Sequence, residues 1–165
     1  MRLYHGSNVA FSDVDLSACR ANKDFGQGFY LAPDRIAAER MARRTVRRFG
    51  GKAYVMVFEF DETALADVPV KRFSHPSEEW AMFVMSNRSP QLAAADHNCD
   101  NRYGMVVGPV ANDDLALLFR QFALGLVTVE MLVREMRFKQ LTFQYSFHTP
   151  QAISALKFVG VEDVN

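Results

Sequence analysis

Three short segments of the sequence hold the residues best suited to chemistry: Leu3–Ser7, Asp24–Ala32 and Phe143–Thr149. The first two combine glycine with a histidine or a tyrosine, reading LYHGS and DFGQGFYLA, and the third carries a glutamine and a histidine. A histidine can hydrogen-bond, an aromatic ring can stack on a planar group, and glycine lets the main chain approach closely. These residue types indicate hydrogen bonding and ring stacking.

Other kinds of site lack the required spacing. The four histidines have no metal-ligand spacing, so we predict no metal. Ser7 has no nucleophile-elbow surroundings. Gly26-Gln27-Gly28 lacks the third glycine and the helix start of a dinucleotide-fold phosphate loop.

Six strands are predicted to position these segments. Apolar runs and alternation predict them at Arg2–His5, Gln27–Ala32, Lys52–Phe60, Tyr103–Val110, Leu141–Phe147 and Leu156–Val161.

Helices are predicted between the strands, which gives an α+β fold in a single domain over residues 1–165. Asp34 caps a helix through Arg48, and Pro76 opens another that runs to Asn87. The remaining predicted helices begin at Asn112 or Asp113, at Thr128 and at Thr149-Pro150, and Ser89–Arg102 is predicted to be a surface loop.

Charge, cysteine content and apolar runs indicate which partners and which compartment to expect. The chain has 19 basic and 19 acidic residues, so no global field indicates a nucleic-acid or membrane partner. Cys19 and Cys99 form no disulfide framework, which fits a reducing compartment. With no apolar signal core and no apolar run of membrane-spanning length, we predict a cytoplasmic protein with no membrane partner.

The order and separation of the three segments resemble the ADP-ribosyltransferase superfamily, in the branch whose site residues are histidine, tyrosine and a variable third residue. The first segment matches that family's His-Gly-Ser pattern, the second matches glycine, any residue, glycine, aromatic, tyrosine, and the third is matched more loosely. The resemblance implies that His5, Tyr30 and Gln144 are the catalytic residues. It also implies a split β-sheet core with flanking helices, and NAD as the substrate.

The resemblance extends to a bacterial branch of small, toxin-like domains of uncharacterised function. Glu79-Trp80, Asn87-Arg88 and Gly108–Asp113 carry this match. It implies a macromolecular acceptor, protein or nucleic acid, and an antitoxin or immunity protein as a further partner.

NAD chemistry gives each matched residue a role. Breaking the nicotinamide-ribose bond passes through an oxocarbenium-like transition state, and the leaving ring begins cationic. We expect Tyr30 to stack on that ring, His5 to bond a ribose hydroxyl, and Gly6 to pair with the nicotinamide amide. Gly26 and Gly28 would permit the turn that aims Tyr30 inward, with Phe29 on the opposite face. The predicted NAD-binding residues are Gly6, Ser7, Gly26, Gly28, Phe29, Asn112 and Asp113.

Gln144 departs from the family, which has glutamate at this place. The amide keeps an acceptor for the ribose but loses the charge, so chain elongation is not expected. The predicted activity is therefore mono-ADP-ribosylation of a macromolecule. The alternatives are NAD hydrolysis and an inactive NAD- or partner-binding module. Glu79, Asp113 or Asp114 could supply a carboxylate, and the arginines of the first long helix are read as a solvated face.

Overall fold

The computed structural model describes residues 1–89, 96–110, 113–137 and 142–164, with side chains described from Leu117 in the third helix and up to Met136 in the fourth. This part of the chain contains seven strands: β1 Arg2–Ser7, β2 Phe29–Leu31, β3 Tyr54–Phe60, β4 Val70–Arg72, β5 Met105–Val110, β6 Thr142–Phe147 and β7 Leu156–Asp163. It also contains five α-helices: α1 Arg35–Phe49, α2 Glu78–Arg88, α3 Asp113–Ala123, α4 Val129–Arg137 and α5 Pro150–Ile153. The fold is α+β, as predicted.

The strands form two sheets. The first has the order β1-β3-β7 and is antiparallel, and the second has the order β2-β6-β5-β4, in which only β4 and β5 are parallel. Among the described residues one isolated bridge joins the sheets: Tyr4 N donates to Ala32 O at 2.9 Å, and Ala32 N donates to Tyr4 O at 2.8 Å. β1 and β2 therefore lie side by side at this bridge.

Helix α1 covers the outer face of β1. Asp34 caps the helix, since its carboxylate accepts from Ile36 N at 3.0 Å, which confirms the predicted start. The helix buries Ala38 and Ala42. It packs so closely that a Cβ added to Gly6 would lie 1.9 Å from Ala38 O. Gly6 is thus required by helix packing.

Two main clusters form the core. One combines residues of both sheets, among them Leu3, Phe29, Leu31 and Phe58. The other combines the four-stranded sheet with helices and includes Tyr30. Successive residues of β2 therefore point into different clusters, as strand alternation requires. No helix in the described ranges is long and apolar enough to cross a membrane.

One predicted helix start and the predicted exposure of one loop residue need correction. The helix expected to open at Pro76 begins at Glu78, because the Ser77 hydroxyl accepts from Trp80 N at 3.1 Å and forms the N-cap. The segment predicted as a surface loop is described from Asp96 onward, and its Asn98 is fully buried. Loops carry buried polar residues where, as here, their hydrogen bonds are satisfied internally.

The six predicted strands are present with ends that differ by one or two residues, as at β2, which begins at Phe29 and not at Gln27, whereas β4 was not predicted. Thr149 caps α5 with Pro150 in the first turn, as predicted. Thr128 precedes α4, and its hydroxyl accepts from Met131 N at 3.3 Å. The predicted cap and NAD-binding residue Asn112 lies outside the described residues, and for Asp113 only the helical backbone is described.

Candidate functional site

His5 lies on β1, one residue beyond the bridge to β2. Its Nδ1 lies 2.8 Å from the carbonyl oxygen of Tyr30. A carbonyl oxygen can only accept, so Nδ1 carries a proton, and in the neutral ring Nε2 is an acceptor. Within the described ranges Nε2 of His5 has no hydrogen-bond partner in the protein. Every buried side-chain nitrogen and oxygen in those ranges does have a partner, so Nε2 is not buried. Nε2 is therefore accessible to a donor from outside the protein.

The imidazole of His5 is neutral at physiological pH. Burial lowers the pKa of His5 to about 4; the hydrogen bond to Tyr30 opposes this shift, and the positive charge of Lys23 adds to it. The tautomer set by Tyr30 is therefore the form present near pH 7.

The ring of His5 packs against two phenylalanine rings. Its ring centroid lies 4.7 Å from that of Phe29 and 5.5 Å from that of Phe11. Tyr30 points into the other core cluster, and no ring contact between His5 and Tyr30 occurs in the described part of the chain. The strands carrying His5 and Tyr30 are adjacent, but the two residues are joined through a main-chain carbonyl.

Tyr30 holds the loop that precedes β2. Its hydroxyl accepts from Phe25 N at 3.0 Å and donates to Gly26 O at 2.8 Å, and only 8% of the residue is exposed. Burial raises the pKa of Tyr30 well above its ordinary value, so the hydroxyl stays protonated. The Phe25 ring stacks against the Tyr30 ring with 6.2 Å between centroids, and the Lys23 ammonium lies 4.4 Å from the centroid of the Tyr30 ring.

The main chain of Gly6 faces the gap between β1 and β2. In an antiparallel strand, the amide and carbonyl groups of successive residues point to opposite neighbours, so those of every second residue point to the same one. Those of Tyr4 bond Ala32 on β2, so those of Gly6, two residues on, point to the same side. Ser7 ends β1, and its hydroxyl accepts from Val9 N at 3.2 Å. The backbone of Gly6 is thus placed to pair with a planar amide.

Gln144 lies on the same face of its sheet as Tyr30. Tyr30 pairs with Ser146 on β6, and Gln144 precedes Ser146 by two residues and pairs with Gly108 on β5. Cross-strand partners share a face, and two residues of strand span about 6.6 Å. The half-buried Gln144 therefore lies just beyond the end of β2.

The two glycines before β2 sit in a tightly held loop. Gly26 has a φ of +93°, in the left-handed region that favours glycine. Gly28 packs against His148, whose Nδ1 lies 2.8 Å from Gln27 O. The turn predicted from these glycines is present.

His148 is hydrogen-bonded to this loop at Gln27, and the sequence did not predict this role. It is 3% exposed, and its Nε2 lies 2.8 Å from the Ser146 hydroxyl. Because Nδ1 must donate to the Gln27 carbonyl, Nε2 of the neutral ring is an acceptor, and the one proton of the Ser146 hydroxyl is shared between Nε2 and Val106 O, which lies 3.0 Å away. Burial lowers the pKa of His148 to about 4, which keeps the ring neutral.

An ion pair that was also missed ties the loop to α2. Arg88 donates from Nε to Asp24 Oδ1 at 2.7 Å, and Asp24 is 7% exposed. In the same helix Asn87 accepts from Asn98 N at 2.8 Å. The Asn87-Arg88 motif therefore joins three separate segments of the chain, and nothing short of the tertiary structure indicates that link.

Of the three alternative carboxylates, only that of Glu79 belongs to a described side chain. Glu79 pairs with Lys71 on β4, the edge strand farthest from β2 in its sheet. The side chains of Asp113 and Asp114 are outside the description. No group of three metal-ligating side chains occurs in the described ranges. The arginines of α1 are exposed, and Arg35 pairs with Glu39 and Glu162.

Comparison with known proteins gives a family. The chain matches the family model described as protein of unknown function (DUF3990) over residues 1–158. Neither the curated proteins nor the solved structures yielded a significant match. The matched range contains all three strands that carry His5, Tyr30 and Gln144. The chain therefore belongs to the DUF3990 family.

Proposed function

We propose that this protein binds NAD, cleaves its nicotinamide-ribose bond and transfers ADP-ribose to a macromolecule. The observation that carries the proposal is the arrangement of His5: Nδ1 is fixed by the Tyr30 carbonyl, and Nε2 is left as an accessible acceptor beside the gap between β1 and β2. A neutral imidazole in a fixed tautomer is suited to accept a hydrogen bond from a ribose hydroxyl.

The neighbouring backbone supports the same ligand. The amide and carbonyl of Gly6 face the gap next to His5, and this donor and acceptor pair complements a carboxamide such as that of nicotinamide. Two adjacent parts of NAD, the amide and the ribose, would thus meet two adjacent residues of β1. Such fixed positioning orients the bond that breaks.

The two sheets support an ADP-ribosyltransferase-like fold. One has three strands and the other four, and in the described residues a single bridge joins them at Tyr4 and Ala32. This arrangement is consistent with the split β-sheet core that the sequence resemblance implies, and we place the proposed NAD site between the two sheets.

Gln144 supports mono-transfer over chain elongation. Its amide oxygen can accept from a ribose hydroxyl, but a neutral amide stabilises an oxocarbenium ion less than a carboxylate does. Glu79, the one alternative carboxylate with a described side chain, is already paired with Lys71. The acceptor would then have to be a good nucleophile in its own right.

The acceptor and any regulatory partner belong to the same proposal. We propose a protein or nucleic acid as the acceptor, and an antitoxin or immunity protein as a partner that holds the activity in check.

Incubation of the purified protein with NAD labelled in the adenylate part, in a cell lysate, tests the activity. Transfer predicts label in protein or nucleic acid together with released nicotinamide. Free ADP-ribose with nicotinamide would instead indicate hydrolysis, and an absence of nicotinamide release from the folded protein would contradict the proposed function. The variant His5→Ala should release no nicotinamide, and its matched control is His75→Ala, a change at an exposed histidine.

A further inference from the structure

Lys23 presents an unpaired ammonium to the candidate site. Its Nζ lies 4.4 Å from the centroid of the Tyr30 ring, in a cation–π contact. In the described part of the chain this nitrogen has no hydrogen-bond or ion-pair partner. Because no buried side-chain nitrogen there lacks a partner, the ammonium keeps access to solvent.

The acidic residue next to Lys23 is already engaged. Asp24 follows it in the chain, but its carboxylate is held by the guanidinium of Arg88 at 2.6 Å. Asp24 still attracts the charge of Lys23, but among the described residues Lys23 has no ion-pair partner of its own.

Electrostatics show that this charge acts on the whole site. Burial lowers the pKa of Lys23; Cys19 and Asp24 oppose this shift, and the nearby charge of Arg20 adds to it. The charge of Lys23 in turn lowers the pKa of both His5 and His148. Lys23 therefore contributes positive charge to the site in a chain whose formal net charge is zero, and this charge would stabilise an anion there.

The same lysine covers the ring that a nicotinamide would need. Phe25 packs on the Tyr30 ring from the core, and Lys23 contacts the ring as well. A planar ligand can stack on Tyr30 only if the ammonium moves away.

We propose that Lys23 is both gate and anion anchor of this site: its ammonium leaves the Tyr30 ring when NAD binds and pairs with the diphosphate. This inference rests on the proposed function and adds a residue to it. The ring face then opens for nicotinamide as the lysine gains the counter-ion that it lacks in the free protein. Lys23 is a positioning residue, since the bond that breaks is at the other end of the ribose.

Binding of two fragments of NAD separates the gate from the anchor. Calorimetry would measure ADP-ribose and nicotinamide separately on the wild type, Lys23→Ala, Lys23→Arg and the exposed-site control Lys52→Ala. Loss of one charge-assisted hydrogen bond predicts about a 10-fold weaker Kd for ADP-ribose in Lys23→Ala. Nicotinamide, which has no phosphate, should bind Lys23→Ala at least as tightly as the wild type. Lys23→Arg keeps the charge and should recover most of the ADP-ribose affinity.

The outcomes also distinguish this inference from the proposed function. Lys23-dependent ADP-ribose binding without nicotinamide release from NAD would support the anchor and contradict the activity. Nicotinamide release with equal ADP-ribose affinity in the wild type and Lys23→Ala would support the activity and overturn the anchor. Thermal unfolding of each variant shows that the compared proteins are folded.

Discussion

Two histidines hold the segment from Gln27 to Tyr30, one on each side, and they use the same kind of bond. His5 donates from Nδ1 to the carbonyl of Tyr30, and His148 donates from Nδ1 to the carbonyl of Gln27, each over 2.8 Å. Burial lowers the pKa of each to about 4. They differ at Nε2: that of His148 is hydrogen-bonded to the Ser146 hydroxyl, whereas that of His5 has no hydrogen-bond partner among the described residues.

The difference separates support from recognition. A buried imidazole with both nitrogens satisfied adds stability and has no capacity left for a ligand. An imidazole with one nitrogen satisfied is equally fixed in orientation and still offers an acceptor. Substitution of His148 should therefore act mainly on folding, and substitution of His5 mainly on binding.

The largest loss of stability is expected from a substitution at Gly6, the residue next to His5, because helix α1 packs directly against it. Gly6→Ala would place a Cβ 1.9 Å from the backbone oxygen of Ala38, so α1 or β1 must shift. We expect the free energy of unfolding to fall by about 3 kcal/mol or more, measured by denaturant titration. Gly160→Ala is the control, because no atom lies within 4 Å of its added Cβ. Equal stability of the two variants would contradict the close packing of α1.

His148→Ala should be the next most destabilising change. It removes the bond to Gln27, leaves the Ser146 hydroxyl without this partner and opens a cavity. A loss of about 2–4 kcal/mol in the free energy of unfolding is expected from chemical denaturation. His75→Ala, at an exposed histidine, should cost less than about 0.5 kcal/mol. A similarly small loss at His148 would remove the contrast with His5.

Acid should weaken the fold through both histidines. Each pKa falls from 6.5 in a free histidine to about 4 in the folded protein. Between these values the unfolded chain binds protons that the folded chain does not, so stability falls as the pH drops through 6.5 toward 4, and this dependence ends about one pH unit above 6.5.

Denaturation series at several pH values measure that slope. The slope between pH 6.5 and 4.5 should be shallower in His148→Gln, which lacks one of the two titrating rings. The same slope in the variant and the wild type would show that His148 is not a neutral, buried base in the folded protein.

A smaller and more selective effect is expected at Gln144. Gln144→Glu keeps the shape of the side chain, so NAD affinity should barely change, while the added charge should raise hydrolysis relative to transfer. Gln144→Ala should slow both reactions about 10-fold by leaving the ribose poorly ordered. Nicotinamide release and acceptor labelling measure the two reactions. Wild-type rates in the alanine variant would show that Gln144 is not the third site residue.

Local sequence signals predicted the elements well. The caps at Asp34 and Thr149 and the alternation of β3 depend on neighbouring residues, and the structure confirms all three. The start of α2 was misplaced because proline before a serine cap gives nearly the same signal as proline in the first turn.

Contacts between distant segments were not predictable in this way. Arg88 and Asp24 are 64 residues apart, and His148 and Gln27 are 121 apart. No spacing rule links residues so far apart in the sequence. The position of Lys23 over the Tyr30 ring was missed for a related reason: a lysine beside an aspartate reads as an ordinary exposed charge.

Calorimetric titration of NAD into the wild type and His5→Ala most directly tests whether His5 serves recognition. Loss of the accessible Nε2 acceptor and of the bond to Tyr30 predicts a Kd at least about 10-fold weaker in His5→Ala, with nicotinamide release abolished and a melting temperature close to that of the wild type. The same NAD affinity in His5→Ala and in the wild type would contradict the assignment of this site.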